Sequence, residues 1–270
     1  LARGDRAGFE HPRQHAPLSG FRSVGRRPRI GTVGGGDHPG QKRRLAEGEI
    51  THIERVAPDA DLALRQWEDY VEVFRVRGWE VIPVEPADDH ADGVFIEDAV
   101  VVFDDVAVLT RPGVDSRRGE VDSARAAVEG AGIPFVSIEE PGTLDGGDVL
   151  KIGRTVYVGA GGRTNTAGID QLRELLAPRG WDVVSVPVTK VLHLKSGVTA
   201  LPDGTVVGYE PLVDDPTAYP VFLPVPEEHG TAVVVLDAGT VLMSADAPQT
   251  AAMYRARGLE VVTTPITEFE

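Results

Sequence analysis

One unit returns four times along this chain, and it restricts the fold more than any other feature. ADLALRQWEDYVEVFRVRG (60–78) carries Leu62, Trp67, Val71 and Phe74 roughly every three or four residues and stops at Gly78. That spacing predicts an amphipathic helix closed by a glycine, and the WEVIPVEP that follows reads as a buried strand. The order returns in VDSARAAVEGAG then IPFVSIEEP, in AGIDQLRELLAPRG then WDVVSVPV, and in APQTAAMYRARG then LEVVTTPI. A left-handed cap would by itself explain each glycine, so the repeat rests on the whole unit.

Each of the first three strands is followed by two short β-rich runs joined by a turn: VFIEDAVVVF with VAVLTRP, DVLKI with TVYVG, and HLKSGVTAL with TVVGY. VVVLDAGTVLMSA is a further hairpin. Such a unit needs neighbours to cover its apolar faces, which predicts a closed ring of supersecondary units and not an open parallel sheet.

A polar residue opens each hairpin where an apolar one would be expected. Asp145 lies 13 positions after Gly132, and His193 lies 13 after Gly180. The acidic pair Glu97 and Asp98 lies further from Gly78, after the longer connection PADDHADG. In a quasi-symmetric ring these positions converge on the axis and face one another across a central cavity. The same step from Gly258 falls at position 271, just past Glu270. A carboxylate beside an imidazole is an acid/base arrangement whose usual third member is a nucleophile, and no Ser or Thr of this chain holds the fourth position.

The composition narrows the partners. A net charge of −15 argues against nucleic acid or an anionic membrane surface and suits a small cation. No apolar run reaches the ~18 residues of a membrane span, and the first 20 residues lack the apolar stretch of a secretory signal. The expectation is a cytoplasmic protein. With no cysteine among the 270 residues, no disulfide and no thiolate metal site is built within them. Residues 1–44 stand apart: they hold ten Arg or Lys against three Asp or Glu, and nine of the 31 glycines. They read as a basic, poorly ordered segment or as a mis-framed start, with no recognisable strand for a first blade.

Five motifs in order, DGVFIEDAVVV, LTRPGVDSRR, TLDGGDV, GGRTN and LHLKS, resemble those of the dimethylarginine dimethylaminohydrolases of the guanidino-group-modifying superfamily. The resemblance runs from about Leu45 to Glu270. It implies a five-bladed α/β propeller of ββαβ units, the pentein fold, as one domain over 45–270 that lacks its final strands. It implies hydrolysis of Nω-methylated arginines to citrulline and a methylamine. By motif, His193 is the general acid/base and Asp145 supports it. Asp92, Glu97 and Asp98 hold the guanidinium, Arg117 and Arg163 bind the substrate carboxylate, and Leu45 belongs to a mobile loop over the site. The nucleophile is a cysteine a few residues beyond ITEFE, outside this chain. No cofactor is implied, and the protein is expected as a monomer or homodimer.

Elementary chemistry agrees. A guanidinium carbon is resonance-stabilised, so attack on it needs carboxylates to localise its charge, a strong nucleophile, and an acid for the departing amine. Other readings stay open at this point: a non-catalytic guanidino-binding protein, a relative of the arginine deiminases, and a metal hydrolase using His90, Asp92, Asp145 and His193. The last lacks any compact ligand pair. Asp148 of LDGGDV is open between a turn residue and a functional one. Glu97 and Asp98 are adjacent, so on a strand only one would face inward, unless a bulge or the strand's end lets both do so.

Overall fold

The computed structural model describes residues 59–87, 89–90 and 92–269, together with strand backbone at 20–21 and 29–33. Leu45 lies outside the described residues. Among the described residues the β structure forms five three-stranded sheets. The first holds β1 (Gly20–Phe21), β2 (Arg29–Val33) and β3 (Glu80–Val84), with α1 (Ala60–Val76) before β3. The second holds β4 (Val100–Phe103), β5 (Val106–Leu109) and β6 (Phe135–Ser137). The third holds β7 (Val149–Ile152), β8 (Thr155–Ala160) and β9 (Asp182–Pro187). The fourth holds β10 (Val198–Ala200), β11 (Val206–Gly208) and β12 (Phe222–Pro224), and the fifth β13 (Val233–Val235), β14 (Thr240–Ser244) and β15 (Glu260–Thr264). In every sheet an antiparallel pair is joined by a third strand running parallel to its middle one. A parallel third strand requires a crossover, and in four of the sheets a helix supplies it: α1, α3 (Glu120–Gly130), α4 (Thr166–Leu176) and α6 (Pro248–Ala256) precede β3, β6, β9 and β15, whereas two 3-10 turns (Glu210–Leu212 and Pro216–Ala218) precede β12. The repeated unit is therefore ββαβ.

Strand alternation explains both the apolar runs and the ring. Successive side chains of a strand point to opposite faces. On β4, Val100 and Val102 pack with α3, while Val101 and Phe103 pack against Val149, Val156 and Leu172 of the next blade. Likewise Tyr157 of β8 joins Val198 and Tyr219 of the fourth blade, while its neighbours Val156 and Val158 turn back to the second. A strand covered on both faces reads as a continuous apolar run. Val207 and Val225 of the fourth blade pack with Val235 and Met243 of the fifth. Phe74 and Trp79 pack with Leu236 and Leu242 of the fifth, so the ring closes on its first blade.

The stop glycines have the conformation that the repeat demands: Gly132 and Gly180 sit at φ of 68° and 74°, where a Cβ would be strained, and Gly78 and Gly258 are also left-handed. Asp59 and Asn165 cap α1 and α4 through their side-chain oxygens.

One expectation needs correction. No strand for a first blade is recognisable in the sequence of residues 1–44, yet β1 and β2 lie there, and β2 pairs in parallel with β3 from Arg29↔Glu80 to Val33↔Val84. RIGTV has only two large apolar residues and its partner is about 50 positions away, so nothing local announces the pairing. Among the described residues no helix is long and apolar enough to cross a membrane.

Candidate active site

Three equivalent blade openings supply the site. A one-turn helix, α2 (Ile96–Ala99), leads into β4, a 3-10 turn (Gly146–Asp148) into β7, and a second one-turn helix, α5 (Leu194–Gly197), into β10. Asp145 and His193 each hold the residue just before their turn, in extended backbone. The equal spacing of 13 from the preceding glycine thus marks equivalent points of two blades. Glu97 and Asp98 instead lie within α2, which resolves the question of their adjacency. At about 100° per residue the two side chains part: Asp98 enters the buried cluster beside Arg117, and the more exposed Glu97 pairs with Lys195.

The side chains meet in a buried cluster. His193 Nε2 is 3.0 Å from Asp145 Oδ2, and Asp145 is fully buried. Because a carboxylate only accepts, Nε2 carries the proton of this bond, leaving Nδ1 as the atom able to release or take one. The other oxygen of Asp145 accepts from Gly113 N at 2.8 Å. Asp98 Oδ1 accepts from Gly147 N at 2.7 Å and stands 4.0 Å from His193 Nε2. Burial depresses the His193 basicity, but the bond to Asp145 and the charges of Asp98, Asp148 and Asp145 outweigh it, so the imidazole titrates above its usual value. For Asp98, burial favours the neutral acid. The charges of His193 and Arg117 and the hydrogen bonds from Arg117 and Gly147 prevail, holding this carboxyl below its usual range.

Arg117 and Arg163 diverge. Arg117 is buried and its fork is filled: Nη1 donates to Asp98 Oδ2 at 2.8 Å, while Nε and Nη2 donate to Glu120 at 3.0 and 2.8 Å. Its Nη2 also reaches the Asp92 carbonyl at 3.4 Å, and Asp92 Oδ2 lies 3.9 Å from its Nε. Arg117, expected to bind the substrate carboxylate, here has its three nitrogens within hydrogen-bond distance of Asp98 or Glu120. Arg163 Nη1, in contrast, is buried with no hydrogen-bond partner, 4.0 Å from Asp145 Oδ2. Glu97 is half-buried and pairs with Lys195 of α5. Glu120 escaped the sequence reading, although Arg117 and Glu120 are three apart in DSRRGE, the spacing of a helical ion pair.

Asp98, Asp145 and His193 bring their ligand atoms within 4.8 Å of one another, a set that could hold a metal ion. Each carboxylate oxygen there already accepts a hydrogen bond, and Asp145 Oδ2 has two guanidinium nitrogens 4.0 Å away. A metal ion at the centre would meet both of these guanidinium charges and would have to displace the hydrogen bonds that the carboxylates already accept. The metal alternative built on His90 fails separately, because His90 Nδ1 is 2.6 Å from the Ser116 carbonyl and His90 is outside this cluster.

The glycines of LDGGD allow the close approach. A Cβ on Gly147 would stand 2.6 Å from Asp98 Oδ1 and 2.8 Å from His193 Cγ, and one on Gly146 would strike the Glu97 carbonyl. Gly147→Ala is expected to destabilise the protein by about 1–3 kcal/mol, the usual cost of overpacking. An unchanged melting temperature in that variant would show that His193 and Asp98 do not crowd this backbone.

No family model matches the chain. It is 58% identical over 227 residues to the N(G),N(G)-dimethylarginine dimethylaminohydrolase of Streptomyces coelicolor, covering 84% of this chain and 88% of that protein. Among solved structures it superposes with a TM-score of 0.79, at 27% identity over 89% of this chain and 92% of the other, on a histidine-to-glycine dimethylarginine dimethylaminohydrolase in an adduct with S-methyl-L-thiocitrulline. The enzyme from Pseudomonas aeruginosa, a cysteine-to-serine mutant complexed with citrulline, gives a TM-score of 0.78 at 28% identity with the same coverage. Fold, ordered motifs and sequence identity over most of both chains agree, and the chain belongs to the dimethylarginine dimethylaminohydrolase family.

Proposed function

We propose that this chain is a hydrolase of Nω-methylated arginines, converting asymmetric dimethylarginine to citrulline and dimethylamine in the cytoplasm, as a monomer or homodimer. The observation that carries this is the buried His193–Asp145 pair, 3.0 Å apart, set between Asp98 and Arg163, whose buried Nη1 makes no hydrogen bond and lies 4.0 Å from Asp145 Oδ2. An imidazole whose titration is raised by its hydrogen bond to Asp145 and by the surrounding carboxylates favours its charged form and can protonate a departing methylamine. Asp92, Glu97 and Asp98 line the acidic side and take the substrate guanidinium, whose delocalised charge they localise for attack at carbon. Arg163 takes the substrate carboxylate. Arg117 is already balanced by Glu120 and Asp98, and its part is to hold those carboxylates in place.

Attack on the guanidinium carbon requires a nucleophile, a cysteine in the resemblance, and residues 1–270 contain none. The reading is tested by calorimetric binding of asymmetric dimethylarginine together with an assay of citrulline release. Binding without turnover would leave a guanidino-binding protein as the better reading. Faster citrulline release from arginine than from dimethylarginine would move the assignment to a deiminase.

Arg163→Ala tests the substrate class. A charge-assisted hydrogen bond contributes about 1.5–3 kcal/mol, so calorimetry should show affinity for asymmetric dimethylarginine falling by roughly 10- to 150-fold. Binding of methylguanidine, which lacks a carboxylate, should change by less than about threefold. Equal losses for both ligands would remove Arg163 from carboxylate recognition.

A further inference from the structure

One buried carboxylate is used by none of the roles above. Asp148 is 2% exposed and closes the 3-10 turn that begins after Asp145. Its Oδ1 accepts from Leu194 N at 2.8 Å, the first backbone amide after His193. Its Oδ2 accepts from the Thr164 hydroxyl at 2.6 Å, from the residue after Arg163. The Thr164 hydroxyl oxygen in turn accepts from Asp145 N at 3.1 Å. Two side chains therefore connect the three segments that carry Asp145, Arg163 and His193, and those segments come from two blades and a loop far apart in sequence.

We propose that Asp148 and Thr164 are positioning residues for the reaction, a carboxylate–hydroxyl tie that sets His193 against Asp145 and places Arg163 beside them. The proposal rests on the function assigned above only for the reaction that the positioning serves.

Geometry favours this over a turn-forming role for LDGGD alone. A turn residue would be satisfied by its own backbone, whereas both oxygens of Asp148 are spent on groups 16 and 46 positions away. Thr164 donates to one partner and accepts from another, which fixes its rotamer from both sides. The space is closed as well: a Cβ on Gly159 would stand 2.8 Å from Asp148 Oδ1 and 3.1 Å from Leu194 Cβ. The tie also places a third carboxylate charge near the imidazole. Facing His193 from the packed elements are thus Asp98 from α2, Asp145 and Asp148 from the 3-10 turn, with Arg117 beyond Asp98 and Arg163 beyond Asp145.

The test is the titration of His193, followed by nuclear magnetic resonance of the ligand-free chain and assigned by the signal lost in His193→Gln. Thr164→Val, which keeps the shape and removes the hydroxyl, should lower the His193 midpoint by about one pH unit, since a loosened carboxylate partner stabilises the charged ring less. Thr164→Ser should restore it. Asp148→Asn keeps an acceptor for Leu194 N and removes the charge, and should give a similar downward shift; it carries the test should Thr164→Val fail to fold. Folded variants with an unmoved midpoint, or a serine variant no better than the valine one, would overturn the tie. The titration needs no substrate, so failure to bind dimethylarginine would sink the assigned function and leave this inference standing.

Discussion

His193→Ala is expected to reduce citrulline release by about 10²- to 10⁴-fold while leaving affinity for dimethylarginine within a few-fold, the signature of a lost general acid/base. The imidazole's Nε2 is committed to Asp145 at 3.0 Å, so its work on the substrate falls to Nδ1, and alanine leaves nothing in its place. Binding survives because the groups assigned to the ligand, Asp92, Glu97, Asp98 and Arg163, lie on other segments. Two measurements check it: steady-state release of citrulline, and calorimetric affinity for dimethylarginine. Rates like those of the unsubstituted enzyme would take His193 out of the mechanism. A comparable loss of affinity would instead show that the ring mainly holds the site together.

Arg117→Met should have the largest effect on stability. Removing one member of a buried ionic cluster leaves the others charged without compensation, at a cost of about 3–5 kcal/mol. For a domain of this size that is a fall in melting temperature of roughly 10 °C. The groups stranded are Asp98 and Glu120, whose carboxylates lie 2.8 Å from Arg117 nitrogens and are nearly inaccessible to water. The pH dependence follows from Asp98, whose carboxyl is held below its usual range. A group depressed on folding contributes stability that is present above its unfolded value, near 4, and is lost as pH falls through the folded one. The deficit of Arg117→Met should accordingly be full at neutral pH and shrink in acid, as the stranded carboxylates take up protons. Adding Asp98→Asn and Glu120→Gln to the variant should recover part of the loss at pH 7. A change of less than about 2 °C in the single variant would mean that the cluster is not desolvated as described.

Much of this protein can be read along the chain. Helix–glycine–strand units, the strands' continuous apolar runs, and the polar residues 13 positions after Gly132 and Gly180 all express periodicities of 3.6 and 2, which each segment carries by itself. From these followed a ring with Asp145 and His193 at equivalent blade openings; the resemblance rested separately on five ordered motifs. Tertiary structure decided the rest. Which face of β4 meets which blade, the pairing of β2 with β3, the turning of Arg117 toward Asp98, and the tie from Asp148 through Thr164 all depend on groups brought together across 16 or more positions. A residue's type states what bonds it can make. Whether a buried charge finds its partner is settled only by which segments the closed ring presses together, because the cost of leaving it unpaired arises only once water has been excluded.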